Sequence, residues 1–220
     1  MNIEDRMKFY EKTYQTDIPR RMPVVIRLDG KCFHSLAKNC EKPFDAKLWK
    51  SIVKATQAVL EETHARVAYQ QSDEVSLLLI DYNKFDSQPW VGGNIQKMVS
   101  ITAGIMSATF SAEWGKAGYF DSRVMAISER DIENYFVWRQ QDAMRNAVAM
   151  AARTQFSQKQ LHEKHIEEQK AMLGTKGFQF SDYPADFRMG TIITEREHHV
   201  APLFSKEKDF LKKFLSVEEE

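Results

Sequence analysis

The stretch ARVAYQQSDEVSLLLID, residues 65–81, holds two apolar runs separated by Gln71-Ser72-Asp73-Glu74. Short runs of this kind around polar turn residues read as an antiparallel hairpin that reverses over 71–74. Upstream, VVIRLDGKCFHSLAK (24–38) opens with Val24, Val25 and Ile26 and stops at Asp29-Gly30, so residues 23–28 read as a buried strand closed by a turn. Between that strand and the hairpin, Leu48, Ile52, Val53, Ala55, Val59 and Leu60 recur at helical spacing over 46–64, with Asp45 placed as the N-cap. Downstream, residues 92–115 read as a second helix, opened by Gly92-Gly93 and closed at Gly115, and SRVMAIS (122–128) reads as a fourth strand.

Strand, helix, strand, strand, helix, strand is the split βαβ order of a ferredoxin-like sheet, which makes the chain an α+β protein. In that sheet the first two strands are parallel and the third lies between them, antiparallel to both. The end of the first strand and the hairpin turn then share one edge, so Asp29 is expected beside Asp73. Beyond residue 130 the pattern is helical over 131–153, 157–173 and 205–215, with a short strand at 190–194. These helices are expected to pack on the sheet, giving one domain over 1–220 with its core at 20–130 and a helical part at 131–220.

Composition bounds the function classes. The 220 residues are 43% hydrophobic and 28% charged with no low-complexity tract, so the chain reads as folded throughout. Lys+Arg and Asp+Glu each number 31, which excludes a uniformly basic coat and leaves any nucleic-acid partner to local patches. Cys32 and Cys40 are too few to staple a chain of this size, and a reduced, cytoplasmic protein is expected. The N-terminal MNIEDRMKFYEK lacks the apolar core of a signal peptide, and no apolar run approaches the roughly 20 residues of a membrane span. A soluble protein with no membrane partner follows as the expectation.

Asp29 before Gly30, and Asp73 before Glu74, would form an all-oxygen site at one sheet edge. Mg²⁺ suits such a site, because it takes one or two protein carboxylates and completes its shell with water and substrate phosphates. Gly30 would let backbone groups approach a metal and an oxyanion closely. Paired metals of this kind serve in-line nucleotidyl transfer. Asp-Gly and Ser-Asp-Glu are also ordinary turn sequences, and spacing alone leaves the catalytic and structural readings both open.

VVIRLDGKCFH, KPFD, AYQQSDEVSLLL, FDSRV and NYFVWRQQD, in this order, resemble the tRNA-histidine guanylyltransferase superfamily over residues 6–195. The resemblance implies a polymerase-like palm, extension of RNA in the 3′-to-5′ direction, ATP and GTP or other nucleoside triphosphates as substrates, two Mg²⁺ ions per site, tRNA as partner and a homotetramer. It matches Asp29 and Asp73 to the metal-binding carboxylates, Gly30 to a carbonyl ligand, and Glu74 to the acidic neighbour grouped with them as catalytic. It matches Asp29, Gly30, Lys31, Cys32, Phe33 and His34, with Ser72 and Asp73, to the triphosphate-binding loop. Ala37, Lys42 and Asp45 match contacts to the incoming nucleotide, the loop between Ala37 and Lys42 being slightly shorter here, and Lys97 matches a phosphate-facing lysine. Arg27 is implied at the activation step, and Arg139, Gln140 and Asn146 in activation or tRNA contact.

One departure sets the branch. Enzymes that add the extra guanosine to tRNA-His resemble one another in a His-Ile-Asn-Asn-Leu-Tyr-Asn run after the position of Asp142. This chain has Met144-Arg145-Asn146-Ala147-Val148-Ala149-Met150, keeping only Asn146. It therefore resembles the guanylyltransferase-like branch, whose members are template-directed repair enzymes for truncated tRNA 5′ ends. The competing readings are guanosine addition to tRNA-His, a nucleotidyl cyclase on a similar sheet, and an RNA-binding module without chemistry. NYFVWRQQD opposes the cyclase, and the retained Asp29, Asp73 and Glu74 oppose the pure binder, since clustered negative charge repels phosphate.

His162 and His165 stand three apart in LHEKHIEE, but without a third ligand a solvated helix face is the favoured reading, and His198-His199 reads as a surface turn. Trp138 and Phe136 could stack on bases, with packing favoured. Arg139 stays open between tRNA contact and a structural ion pair. Lys206, Lys208, Lys212 and Lys213, with Arg153, Lys159, Lys164, Lys170 and Lys176, could grip an RNA backbone, although interleaved glutamates fit a generic solvated surface equally well.

Overall fold

Along Val24–Gly30 (β1), successive side chains enter opposite faces of the sheet, as a strand requires. Val24, Ile26 and Leu28 join a core with Ile52, Val59, Met106 and Phe110, which belong to Ala46–Thr63 (α3) and Ile95–Trp114 (α4). Val25 joins a second core on the other face with Ile132, Tyr135 and Phe136 of Glu129–Arg153 (α5). A near-continuous apolar run is what a strand covered on both faces needs. Each fully buried Ile, Leu or Phe in these layers contributes roughly 1.5–3 kcal/mol.

The computed structural model describes residues 1–84, 86–207 and 209–216. Val67–Gln71 (β2), Glu74–Leu79 (β3), Phe120–Ala126 (β4), Thr191–Ile193 (β5) and His198–Val200 (β6) complete an antiparallel-paired sheet in the order β4-β1-β3-β2-β5-β6. β3 lies between β1 and β2, antiparallel to both, which is the palm arrangement read from the order of elements. β4 pairs with the free edge of β1. Asp45 caps α3 by accepting from Leu48 N at 2.9 Å, and Gly115 ends α4 in the left-handed region.

The helical part is fastened to the sheet through α5. Ala147, Ala151 and Ala152 of α5 form a third core with Leu173 of Ile166–Thr175 (α7) and Phe187 of Ala185–Met189 (α8). No helix among the described residues is long and apolar enough to cross a membrane.

Several elements differ from the sequence reading. The expected helix over 157–173 is two pieces, Gln158–Leu161 (α6) and α7, with Glu163 between them at φ 60°. His165 starts the second piece by giving its backbone N–H to Glu168 at 2.8 Å, so His162 and His165 do not share a helix face. Over 205–215, turns and a short 3₁₀ helix at Lys212–Phe214 replace the expected helix; Lys208 lies outside the described residues. His198-His199 belongs to strand β6, held because Ile193 pairs with His198 and because Trp49 packs on the His198 ring at 5.4 Å. An unanticipated helix, Ile3–Thr13 (α1), is capped by Asn2 and buries none of its residues. Phe136 is fully buried as expected, whereas Trp138 is half exposed, its ring covering the Arg139 guanidinium at 4.4 Å.

Gln140 is the strut that closes the fold over α5. Its side chain is 1% exposed, Nε2 donates to Met189 O (3.2 Å) and Pro202 O (2.8 Å), and Oε1 accepts from Phe204 N (2.9 Å). Gln140→Leu keeps the volume and leaves two backbone groups, Pro202 O and Phe204 N, unpaired, while Met189 O keeps the Tyr69 hydroxyl at 3.0 Å. Stability should fall by about 2–4 kcal/mol in urea unfolding, at roughly 1–3 kcal/mol for each buried group left unpaired, with amide exchange around residue 204 accelerating first.

Candidate active site

β1 and the β2–β3 turn end at the same edge of the sheet. Asp29 is directly opposite Glu74 of β3 on one side and Asp121 of β4 on the other, so these three side chains stand on one face, the face that α5 covers. Asp73 precedes Glu74 in the turn. Ser72 takes a left-handed conformation (φ 55°) that reverses the chain, its hydroxyl donates to Asp73 Oδ1 at 3.0 Å, and Gln70 Nε2 holds the Ser72 carbonyl at 2.7 Å. A short, tight turn therefore aims Asp73 back over the end of β1, and the expected meeting of Asp29 and Asp73 occurs.

Burial leads the electrostatics at Asp73, and crowding adds to it. Burial pushes the Asp73 carboxyl above the ordinary carboxylate range, Asp29 and Glu74 push the same way, and the Asp73 amide and Ser72 hydroxyl offset this only in part. Glu74 is neutralised differently: Arg139 grips both its oxygens, Nε to Oε1 at 2.6 Å and Nη2 to Oε2 at 2.7 Å, and reaches Asp142 at 3.0 Å. Although burial opposes it, this pairing raises the Arg139 guanidinium pKa further. Against its own desolvation, Asp142 is held below the ordinary range by Arg145 and Arg139. Arg27 points into the same edge, its Nε 4.0 Å from Glu74 and buried without a hydrogen-bond partner among the described residues.

The loop after β1 is built on aromatic packing. A Cβ on Gly30 would stand 2.3 Å from the Phe33 ring, so this glycine is required by Phe33, which itself packs on Phe120 and Phe110 at 4.9 and 5.1 Å. Phe33 opens the short helix Phe33–Leu36 (α2) and is thus a buried anchor that leaves Lys31, Cys32 and His34 exposed at the loop surface. Lys42 returns to the loop by donating Nζ to Ala37 O at 2.8 Å. The Asp45 oxygens already accept from Leu48 N and from Glu41 N at 3.0 Å.

Asp29, Ser72, Asp73, Glu74, Arg139 and Asn146 line one cavity of about 380 Å³. Two expected site residues lie elsewhere. Lys97 is in the first turn of α4, where the adjacent Met98 shares a core and a concavity with Val24 and Leu79, at the ends of β1 and β3 remote from Asp29. Twenty helical residues span roughly 30 Å, so the length of α4 separates it from the carboxylates. Gln140 is consumed as the buried strut and offers nothing to a substrate. The sequence reading missed Asp121 as a cross-strand neighbour of Asp29; its signal was the Phe120-Asp121 pair opening the fourth strand, two residues before the predicted start.

The donor set tests the Mg²⁺ expectation. Asp29, Asp73 and the Gly30 carbonyl are hard oxygen donors, and the Asp73 carboxyl, raised by burial and then by its acidic neighbours, marks a place where a cation would favour the ionised form. With Glu74 held by Arg139, no group of three side-chain ligands exists among the described residues. Water and substrate phosphate oxygens would fill the remaining positions, which is how Mg²⁺ is commonly bound. The residues fit the ion on those terms.

Residues 4–128 match the family model described as Thg1, tRNAHis guanylyltransferase. The chain belongs to the tRNA-histidine guanylyltransferase family. Among solved structures, a bacterial tRNA(His) guanylyltransferase-like protein in complex with ATP is 33% identical, with a TM-score of 0.94 over 98% of this chain and 100% of that one. A bacterial guanylyltransferase-like protein in complex with GTP is 30% identical, TM-score 0.84, over the same shares. An uncharacterized protein of Acanthamoeba polyphaga mimivirus is 27% identical over 66% of this chain, and the match spans 60% of the viral protein's length. A probable tRNA(His) guanylyltransferase of Drosophila melanogaster is 28% identical over 85% of this chain and 72% of its own length. Likeness to guanylyltransferase-like chains thus runs the whole length, across the palm and the α5–α8 helices.

The Asp73 environment has a definite pH signature. Because its folded pKa is raised, the native state binds the extra proton between the ordinary carboxylate pKa and that raised value, and stability falls as pH rises through this window. Asp73→Asn removes the deficit. In chelator at neutral pH the variant should melt at or above the parent, by up to about 4 °C, and the difference should vanish in acid below both pKa values. A neutral-pH melting point below the parent would refute the burial penalty on the ionised Asp73.

Proposed function

We propose that the protein is a template-dependent 3′-to-5′ nucleotidyltransferase that rebuilds truncated 5′ ends of tRNA. ATP adenylylates the 5′-monophosphate with release of pyrophosphate. The 3′-hydroxyl of an incoming nucleoside triphosphate then attacks that activated phosphate and AMP leaves, so that the new end carries the triphosphate of the added nucleotide. Pairing with the opposite strand selects the nucleotide. The observation that carries the reading is the cavity itself: Asp29 and Asp73 face a stretch of α5 in which Asn146 is retained while Ala147, Ala149 and Met150 replace the Asn, Tyr and Asn of the tRNA-His run. Likeness over 98% of the chain to the guanylyltransferase-like structure supports the same branch.

The side chains divide the work by position. Asp29 and Asp73, with the Gly30 carbonyl, would hold two Mg²⁺ ions, which supply a lowered hydroxyl pKa and charge neutralisation on the triphosphate and leaving group. Lys31 and His34, exposed on the loop that Phe33 anchors, and Lys42 beside Ala37 are placed to bind triphosphate oxygens as point charges and donors. Arg27 carries a buried, unpartnered Nε toward the same edge and suits the 5′-phosphate during activation. Glu74 and Arg139 hold each other and orient the floor. We also take the protein as a cytoplasmic homotetramer. An eleven-residue α1 that buries none of its own residues and exposes Ile3, Phe9, Tyr10 and the following Tyr14 supports assembly with further copies.

Incubating the protein with 5′-truncated tRNAs of several identities, ATP, Mg²⁺ and each labelled nucleoside triphosphate tests the reading. Templated addition to every truncated tRNA is expected, and Asp29→Asn should lower the rate on the order of 10²-fold or more. Guanosine addition confined to tRNA-His would overturn the repair assignment.

A further inference from the structure

A second concavity, of about 500 Å³, lies between α5, α6 and α7 and meets the catalytic cavity at Ala149 and Arg153, which line both. Each is large enough to seat a nucleotide-sized group. Asn146, Ala149 and Arg153 are spaced by three and four residues, so one face of α5 runs from the carboxylates into this groove. Arg153 and Lys159 have no ion-pair partner among the described residues, whereas the neighbouring Arg145, Lys164 and Lys170 are paired with Asp142, Glu168 and Glu167. The one carboxylate lining the groove, Glu163, is exposed and 3.9 Å from His162 Nε2. Gln169 also lines it. Only 8% exposed, it donates Nε2 to Lys164 O at 2.9 Å and leaves Oε1 buried without a donor.

Two free cations, a histidine and an unsatisfied acceptor form a site for a ligand that carries phosphates and N–H or O–H donors. We propose that this groove is the track of the RNA strand that enters the active site. Arg153 and Lys159 take backbone phosphates, Gln169 takes a ribose 2′-hydroxyl or a base amine, and the 5′ end continues past Ala149 to Asp29 and Asp73. A strand is favoured over a free mononucleotide because the groove opens into the catalytic cavity, and a reacting end there needs a continuous exit for the chain behind it. Ala149 sets the width of the junction. The direction of the strand rests on the repair reading; occupation of the groove by RNA does not.

Lys159 is exposed and outside the catalytic cavity, so Lys159→Ala should leave the fold and ATP affinity unchanged. The test follows fluorescence anisotropy of a labelled 5′-truncated tRNA in EDTA, where no turnover occurs, over a range of salt, with ATP binding measured separately by calorimetry. Lys159→Ala should weaken RNA binding and flatten the slope of log K against log[salt] by about 0.7–0.9, the signature of one lost phosphate contact. Ala149→Trp should weaken RNA binding by narrowing the junction while its melting point stays parental. Parental RNA affinity and slope in Lys159→Ala would overturn the proposal, as would a loss of ATP affinity alone, which would make the groove a mononucleotide site. A flattened slope in a protein that adds no nucleotides would keep the RNA track and refute the repair reading.

Discussion

Arg139 holding Glu74 through two hydrogen bonds of 2.6 and 2.7 Å is the contact on which the active edge depends. Glu74 begins β3 directly opposite Asp29, and Asp73 is its neighbour, so without a cation beside it the edge would carry these three carboxylates unpaired, the fourth, Asp121, having Arg123 at 3.6 Å. A planar guanidinium is the side chain that can occupy both carboxylate oxygens at once, and Trp138 covers its outer face. The pair does two things. It ties α5 to the start of β3, and it occupies both oxygens of Glu74, so that Asp29 and Asp73 would be the anionic donors to any bound cation. Burial first, and the charges of Asp29 and Glu74 after it, raise the Asp73 carboxyl, and a cation there would offset both.

The loop that follows β1 is fixed by a separate constraint. Phe33 fills the space that any side chain at position 30 would need, and its packing on Phe110 and Phe120 ties the loop to α4 and to the start of β4. Gly118 is constrained in the same way, since a Cβ there would stand 2.4 Å from the Phe110 ring. One aromatic cluster thus sets the height of the loop above the carboxylates, while the polar residues around Phe33 stay free at the surface. Stability and site geometry are coupled through these glycines.

Much of this was legible in the sequence because the relevant signals are local and strongly periodic. β1 and the hairpin were bounded by Asp29-Gly30 and Ser72-Asp73, and the order of elements then placed Asp29 beside Asp73 without further information. Capping residues marked α3 and α4 at Asp45 and Gly115. What was not legible depends on long-range packing. The family pattern put Lys97 near phosphate, but the direction of α4 puts its first turn at the far end of the sheet. Gln140 and Arg139 stand side by side in one motif, yet one is a buried strut and the other a partner of a carboxylate 65 residues earlier, and only the α5–sheet docking separates those roles. The break at Glu163 was hidden because no Gly or Pro marks it anywhere in 157–173, and β6 was hidden because three exposed residues on an edge strand carry no alternation.

The central claim is that a partly buried Arg139–Glu74 pair holds the active edge together. A double-mutant cycle with Arg139→Met, Glu74→Gln and the double variant, followed by urea unfolding, measures it directly. Removing the arginine alone leaves Glu74 beside Asp29 and Asp73 without its counter-charge, and should cost about 3–5 kcal/mol. The double variant should recover a large part of that loss, giving a coupling energy above about 2 kcal/mol. A coupling within about 0.5 kcal/mol of zero, the value of an exposed surface pair, would contradict the account.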